Sequence, residues 1–270
     1  MVFSFIVLCM YIWSEKKRMK RKQTVVVTGG ASGLGLALVR QLIARGHTVY
    51  IFDIVKPPVS LTGCAGNLVV DLAAPESELW ITKYLSDKPE IDTLICNAGV
   101  FKFASLLTLS ESEICTAFQT NVFGVIRCFK ACMPSLKFYV ISSEGVCLPL
   151  AACTWPYIAS KRLLEDFATT LRLELHTLPT VTVVRPGAIE TPMLASVELE
   201  TGAIHKLTRF LAYLWKNKPE AVALKIVDSI EMVDSPDVLH VGHNPLLFMA
   251  KVLPDRFVRL IQGMCMSMLS

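Results

Sequence analysis

Thr24-Val25-Val26-Val27-Thr28-Gly29-Gly30-Ala31-Ser32-Gly33-Leu34-Gly35 is the stretch that decides the fold. Its first half is a short β-branched run, as in a buried strand. Its second half is a glycine-rich turn. From Leu34 to Arg45 the apolar residues recur at helical spacing, and Gly46 stands where a C-cap would. A glycine pattern alone is a weak signal; between a strand and a helix it reads as a dinucleotide cradle. Gly29 permits the tight turn, Gly33 and Gly35 let the backbone approach a pyrophosphate, and the helix start offers N–H groups to the phosphates. The turn's candidate cofactor residues are Gly29, Ser32, Gly33, Leu34 and Gly35.

Downstream, strand and helix patterns alternate. Strands are expected at Thr48–Phe52, Leu68–Val70, Thr93–Cys96, Phe138–Ile141, Val181–Val184 and Val238–Val241. Helices are expected at Glu76–Ser86, Glu113–Met133, Tyr157–His176 and Pro219–Met232. This order predicts an α/β fold, a doubly wound parallel sheet flanked by helices in a single domain. Ligands of such sheets bind beyond the carboxyl ends of the strands.

Several chemistry-bearing residues fall at those ends. Asp53 closes the second strand, where a carboxylate accepts hydrogen bonds from adenosine ribose hydroxyls and repels a 2′-phosphate. Ile54 follows, and the glycine turn carries no Arg or Lys; the expected cofactor is therefore NAD, with NADP second and Lys56 the one nearby basic residue. Asp71, with Leu72 beside it, is read either as an adenine contact or as a plain loop aspartate. Asn97-Ala98-Gly99 supplies small residues for a cofactor floor. Asn121 lies inside an expected helix and is read either as a tolerated surface residue or as a break in the helix ladder that holds a proton-relay water.

Tyr157-Ile158-Ala159-Ser160-Lys161 places a lysine one helical turn after a tyrosine, about 120 residues past the glycine turn. A nearby ammonium favours phenolate, which suits an acid/base acting on an alcohol near neutral pH.

Taken in order, the glycine turn, Asp71, Asn97-Ala98-Gly99, Asn121, Ser142-Ser143, Tyr157 to Lys161 and Arg185-Pro186-Gly187 resemble the short-chain dehydrogenase/reductase family across residues 23–195. The resemblance implies a Rossmann-like fold and a tetrad of Asn121, Ser143, Tyr157 and Lys161. It implies Tyr157 as acid/base, Ser143 orienting the substrate oxygen, Lys161 binding the nicotinamide ribose, and Asn121 supporting the relay water. It also implies that Pro186, Gly187 and Thr191 contact the nicotinamide end. Ser143 stands farther from Tyr157 than the family's serine usually does, which leaves Ser142 as the second choice. Glu144 beside it has no assigned role.

The bulk properties suggest either a large doubly covered sheet or contact with a membrane. The chain has 270 residues, is 53% hydrophobic and 19% charged, and has a mean hydropathy of +0.49. That is apolar for a soluble domain. Its net charge is +4, and the cluster Lys16, Lys17, Arg18, Lys20, Arg21 and Lys22 exceeds that by itself, so nucleic acid is not expected as a partner. The nine cysteines lack metal or disulfide spacing and read as reduced thiols.

Residues 1–22 join an apolar run, Met1 to Trp13, to that basic cluster. Thirteen helical residues span roughly 20 Å at about 1.5 Å each, short of the ~30 Å hydrocarbon core. The charge follows the apolar run, the reverse of a signal peptide. The expectation is an uncleaved anchor on the endoplasmic reticulum with a cytosolic catalytic domain, against a packed or disordered arm. Residues 23–244 are expected to form the catalytic domain, with a substrate lid at about 193–217 carrying Leu207, Phe210, Leu211, Tyr213 and Trp215. Residues 245–270 are expected to form an apolar tail whose stretch Val252–Met268, with Arg256 and Arg259, reads as an interfacial or a core-covering helix. These features resemble the retinol and hydroxysteroid branch. They imply oxidation or reduction of a steroid or retinoid, with another lipid alcohol or a 3-hydroxy acid second. An NADPH-dependent carbonyl reductase and a catalytically weak NAD-binding regulator are the alternatives. By resemblance the protein is expected to be a homodimer or homotetramer.

Overall fold

The computed structural model describes residues 21–135, 137–147, 153–175, 179–198 and 216–242. Seven parallel strands form one sheet in the order β3-β2-β1-β4-β5-β6-β7. They are β1 Thr24–Thr28, β2 Thr48–Asp53, β3 Gly66–Val69, β4 Thr93–Cys96, β5 Lys137–Ile141, β6 Thr180–Pro186 and β7 Val238–Val241. The expected doubly wound sheet is what the chain forms. The strand order reverses between β1 and β4, and in sheets of this kind the ligand crevice lies beyond the carboxyl ends there.

Helices cover both faces because the strands are apolar on both sides. Val25 and Val27 of β1 point to one face, with Leu38 and Leu42 of α1 (Gly33–Ala44) and Ile226 and Ile230 of α7 (Pro219–Ile230). Val26 points to the other. There it joins Ile81 of α2 (Ser77–Leu85), Val125 and Cys128 of α4 (Gly124–Ala131), and Leu164 and Ala168 of α5 (Trp155–Glu174). The remaining α-helices among the described residues are α3, Glu111–Phe118, and α6, Pro192–Glu198.

The expected continuous helix over Glu113–Met133 is not continuous. It starts earlier, at Glu111, because Ser110 and Glu113 form a capping box. It is then interrupted by a π-helical turn, Gln119–Phe123, before α4 resumes at Gly124. A run of apolar spacing cannot reveal such a turn, because the extra residue is accommodated without a glycine or proline. Pro156 sits in the first turn of α5, where its missing N–H costs nothing.

No helix among the described residues is long and apolar enough to cross a membrane. The expected anchor (apart from Arg21 and Lys22), most of the lid with its five named aromatic and leucine residues, and the apolar tail lie outside the described residues.

Candidate active site

The glycine turn is locked against β4. The Gly29 N–H donates to Phe52 O at 2.7 Å, and the Asn97 amide donates to Thr28 O and Gly29 O, both at 3.1 Å. Thr28 Oγ1 accepts from the backbone N–H groups of Asn97 and Ala98 at 3.1 and 3.0 Å. Gly29 has φ +66°, and a Cβ there would stand 2.8 Å from Ala98 Cα. A Cβ on Gly35 would stand 1.9 Å from Gly29 O, so only glycine lets α1 start this close to the strand. Ser32 is the exposed N-cap of α1 and makes no side-chain cap, which leaves the first-turn N–H groups facing the crevice beside buried Leu34. This cradle, open to the crevice and admitting no side chain, fits a pyrophosphate.

Asp53 reaches across the turn. Its Oδ2 accepts from Ala31 N–H at 2.9 Å and its Oδ1 from Val55 N–H at 3.2 Å. Asp71 is exposed and bonds its own loop, Oδ1 accepting from Ala73 N–H at 2.9 Å, while Leu72 is buried. On the far side of the crevice Thr191 packs on the turn: a Cβ on Gly33 would lie 3.2 Å from Thr191 Cγ2. Pro186 ends β6 and is buried, and Gly187 N–H donates to Val241 O at 3.0 Å. The residues expected from β1, β2, β3, β4 and β6 thus all stand at the carboxyl edge.

The tyrosine and lysine enter this crevice from α5. Ser143 stands near enough to the Tyr157 hydroxyl to oppose the rise in its pKa, and its Oγ accepts from Gly145 N–H at 3.1 Å. Ser142 turns the other way: it is 1% exposed and donates to Glu165 Oε1 at 2.7 Å. Burial pushes the Tyr157 phenol up to about 12, and the nearby Ser143 hydroxyl acts against that. Lys161 is 3% exposed. Burial pulls its ammonium down to about 8, with Cys96 acting in the opposite sense. The ammonium lies 5.6 Å from the centre of the Tyr157 ring and donates to Ile141 O at 2.8 Å.

Asn121 is fully buried in the π-helical turn. Its Oδ1 accepts from Val100 N–H at 2.8 Å, and its Nδ2 donates to Val100 O and Ser160 Oγ, both at 3.0 Å. It is therefore a pin between the loop after Gly99 and α5 rather than a surface residue. It also touches the lysine's pocket: a Cβ on Gly99 would meet Asn121 Oδ1 at 3.1 Å and Lys161 Nζ at 3.5 Å.

Phe101, Phe103 and Glu165 escape the sequence reading. The Phe101 ring meets the Tyr157 ring edge-on at 4.9 Å between centres, and Phe103, nearly fully buried, backs Phe101 at 6.4 Å. The only sequence signal is the apolar pattern Val100-Phe101-Lys102-Phe103 directly after Gly99. Glu165, two helical turns after Tyr157, pairs with Arg185 at 2.6 Å.

Known proteins resemble this chain in sequence and in fold. The family described as short chain dehydrogenase matches residues 23–202. A 3-ketodihydrosphingosine reductase from Bacteroides thetaiotaomicron is 31% identical over 177 residues, which cover 63% of this chain and 65% of that protein. This chain thus spans just under two thirds of that relative's length. The 17-beta-hydroxysteroid dehydrogenase 13 of Rattus norvegicus is 24% identical over 269 residues, covering 92% of this chain and 84% of that one. A short-chain dehydrogenase structure from Streptomyces avermitilis superposes with a TM-score of 0.74 at 23% identity, covering 92% of this chain and 98% of the other.

Proposed function

Because this chain belongs to the short-chain dehydrogenase family and is an oxidoreductase of alcohol and carbonyl groups using a nicotinamide cofactor, we propose that it uses NAD on an apolar, lipid-like alcohol or ketone, with steroids and retinoids foremost. The observation that carries this reading is the Lys161 ammonium over the Tyr157 ring, 5.6 Å from its centre, at the edge that also holds the glycine cradle.

Each residue has a distinct task. Gly29, Ser32, Gly33, Leu34 and Gly35 receive the pyrophosphate at the start of α1. Asp53 receives the adenosine ribose, which is why NAD is favoured over NADP. Asp71 and Leu72 border the adenine, Asn97, Ala98 and Gly99 form the floor, and Pro186, Gly187 and Thr191 hold the nicotinamide end. Once bound, the nicotinamide supplies the redox chemistry at its C4. Ser143 donates to the substrate oxygen and aligns it with Tyr157. In oxidation Tyr157 removes the hydroxyl proton; in reduction it returns one. Lys161, positively charged near neutral pH, stabilises the phenolate. Asn121 keeps the loop after Gly99 and the lysine pocket in register beside a proton-relay water.

Phe101 and Phe103 support an apolar substrate, because they give Tyr157 an aromatic wall that a hydrated polar alcohol would not match. The names of the two relatives, a ketodihydrosphingosine reductase and a hydroxysteroid dehydrogenase, point the same way. Exposed Phe123 on the π-helical turn and exposed Trp155 and Leu163 on α5 support a homodimer or homotetramer through this face. The apolar run and basic cluster within residues 1–22 support attachment to the endoplasmic reticulum membrane, with residues 23–244 as a cytosolic catalytic domain.

The test is binding and turnover of NAD and NADP with steroid, retinoid and short-chain hydroxy substrates, alongside Tyr157→Phe. Turnover of the apolar substrates with NAD, lost by roughly 10³-fold or more in Tyr157→Phe while NADH still binds, is the expected result. A Tyr157→Phe protein with unchanged turnover would sink it.

A further inference from the structure

One carboxylate ties together the three segments that meet at the proposed nicotinamide site. Glu165 lies on α5 one turn past Lys161 and two past Tyr157, along the same stripe of the helix. Its Oε1 accepts from Ser142 Oγ at 2.7 Å and from Arg185 Nε at 2.8 Å, and its Oε2 accepts from Arg185 Nη2 at 2.6 Å. The arginine fork is therefore bidentate, the geometry that fixes direction as well as distance. Ser142 immediately precedes Ser143, and its N–H donates to Val184 O at 2.8 Å. Arg185 immediately precedes Pro186 and Gly187. The side chains of Arg185 and Glu165 are only 22% and 17% exposed, so solvent does little to loosen the pair.

We propose that Glu165 is a positioning residue, holding the Arg185-Pro186-Gly187 loop and the Ser142–Ser143 turn in register with Tyr157 and Lys161 so that the nicotinamide ring is received beside them. The inference rests on the proposed function, because it takes that loop as the nicotinamide end of the site. Glu165 touches neither cofactor nor substrate; its effect runs through Arg185 and Ser142. A one-residue link of this kind explains why a helix, a strand end and a turn from different parts of the chain share one charge pair. A bland surface pair would have no reason to recruit the buried Ser142 hydroxyl as a third member.

The experiment compares NADH with ADP-ribose, which shares the adenosine and pyrophosphate but lacks the nicotinamide. Dissociation constants are measured for the full chain, Glu165→Gln and Glu165→Ala. The expected result is that Glu165→Ala weakens NADH by about tenfold or more, through misplacement of the loop, while ADP-ribose changes by less than about threefold. Glu165→Gln should fall between, since its amide oxygen still accepts from one partner. General unfolding would weaken both ligands alike, so equal losses, or none, overturn the proposal. Should Glu165→Ala not fold, Arg185→Met keeps the Ser142–Glu165 bond and must show the same selective loss of NADH. Wild-type protein that binds neither ligand would instead overturn the proposed function itself, and the inference with it.

Discussion

The Lys161 ammonium lies over the Tyr157 ring, 5.6 Å from its centre, and directs its hydrogen bond to Ile141 O rather than to the phenol. Without a nicotinamide, then, the tyrosine is governed by burial and stands at about 12. A cationic ring arriving beside it favours phenolate. Binding of the oxidised cofactor should therefore release a proton, and its affinity should rise with pH. Calorimetric titration in buffers of different ionisation enthalpy reads the proton directly. Tyr157→Phe should remove that linkage, and the reduced cofactor, whose ring is neutral, should show much less of it.

Burial of Lys161 has a second consequence, for stability. Its folded pKa of about 8 lies below the ordinary 10.5, so between these values the unfolded chain binds more protons. Stability should rise with pH across this window, and the contribution is lost as pH falls through about 8. Lys137, also pulled to about 8 by burial, titrates in the same window. Lys161→Met should thus raise stability near pH 7 by roughly 2 kcal/mol, after allowance for the lost bond to Ile141, and flatten about half of the rise toward pH 10. Thermal unfolding at both pH values checks this, and turnover should be lost.

Ser142 and Ser143 should separate cleanly. Ser143→Ala removes a donor aimed at the substrate oxygen and should lower kcat/KM by about 10²–10³ with little change in melting temperature. Ser142→Ala takes one of its two donors from Glu165 Oε1 in a largely buried setting. It should cost about 1–3 kcal/mol of stability, with the smaller effect on kcat. Denaturant titration and steady-state kinetics on the two variants decide which serine is which.

Cofactor choice should turn on Asp53 and its neighbour. Asp53→Ala with Ile54→Arg removes a carboxylate and adds a guanidinium, so kcat/KM should move toward NADPH by about tenfold or more. NADH affinity should also drop, since Ala31 N–H loses its acceptor. A wild-type preference for NADPH would show that Asp53 does not set the choice.

The fold is legible because each strand carries its own local signal. The β-branched run before Gly29 and the strands ending at Asp53, Cys96 and Ile141 fall within a residue of where the sequence places them. Spacing likewise sets Tyr157 and Lys161 on one helix face. Residues whose partners are distant in sequence are not legible. Asn121 depends on Val100 and Ser160, Phe101 matters only once it meets Tyr157, and Glu165 gains its meaning from Arg185. The serine choice was open for the same reason. Counting residues back from Tyr157 cannot show that adjacent hydroxyls point to opposite sides of a strand end.

The parallel sheet gives the domain a floor and a rim. Arg21 enters at the floor, paired with Asp92 just ahead of β4, whereas Gly242 leaves at the rim, where a Cβ on it would stand 3.2 Å from Gly187 N. A tag or tether joined ahead of Arg21 hangs on the side remote from the cofactor mouth. One joined after Gly242 begins within contact distance of the nicotinamide loop. A tether attached directly ahead of Arg21 should leave ligand access intact, whereas a bulky group attached directly after Gly242 starts in the doorway.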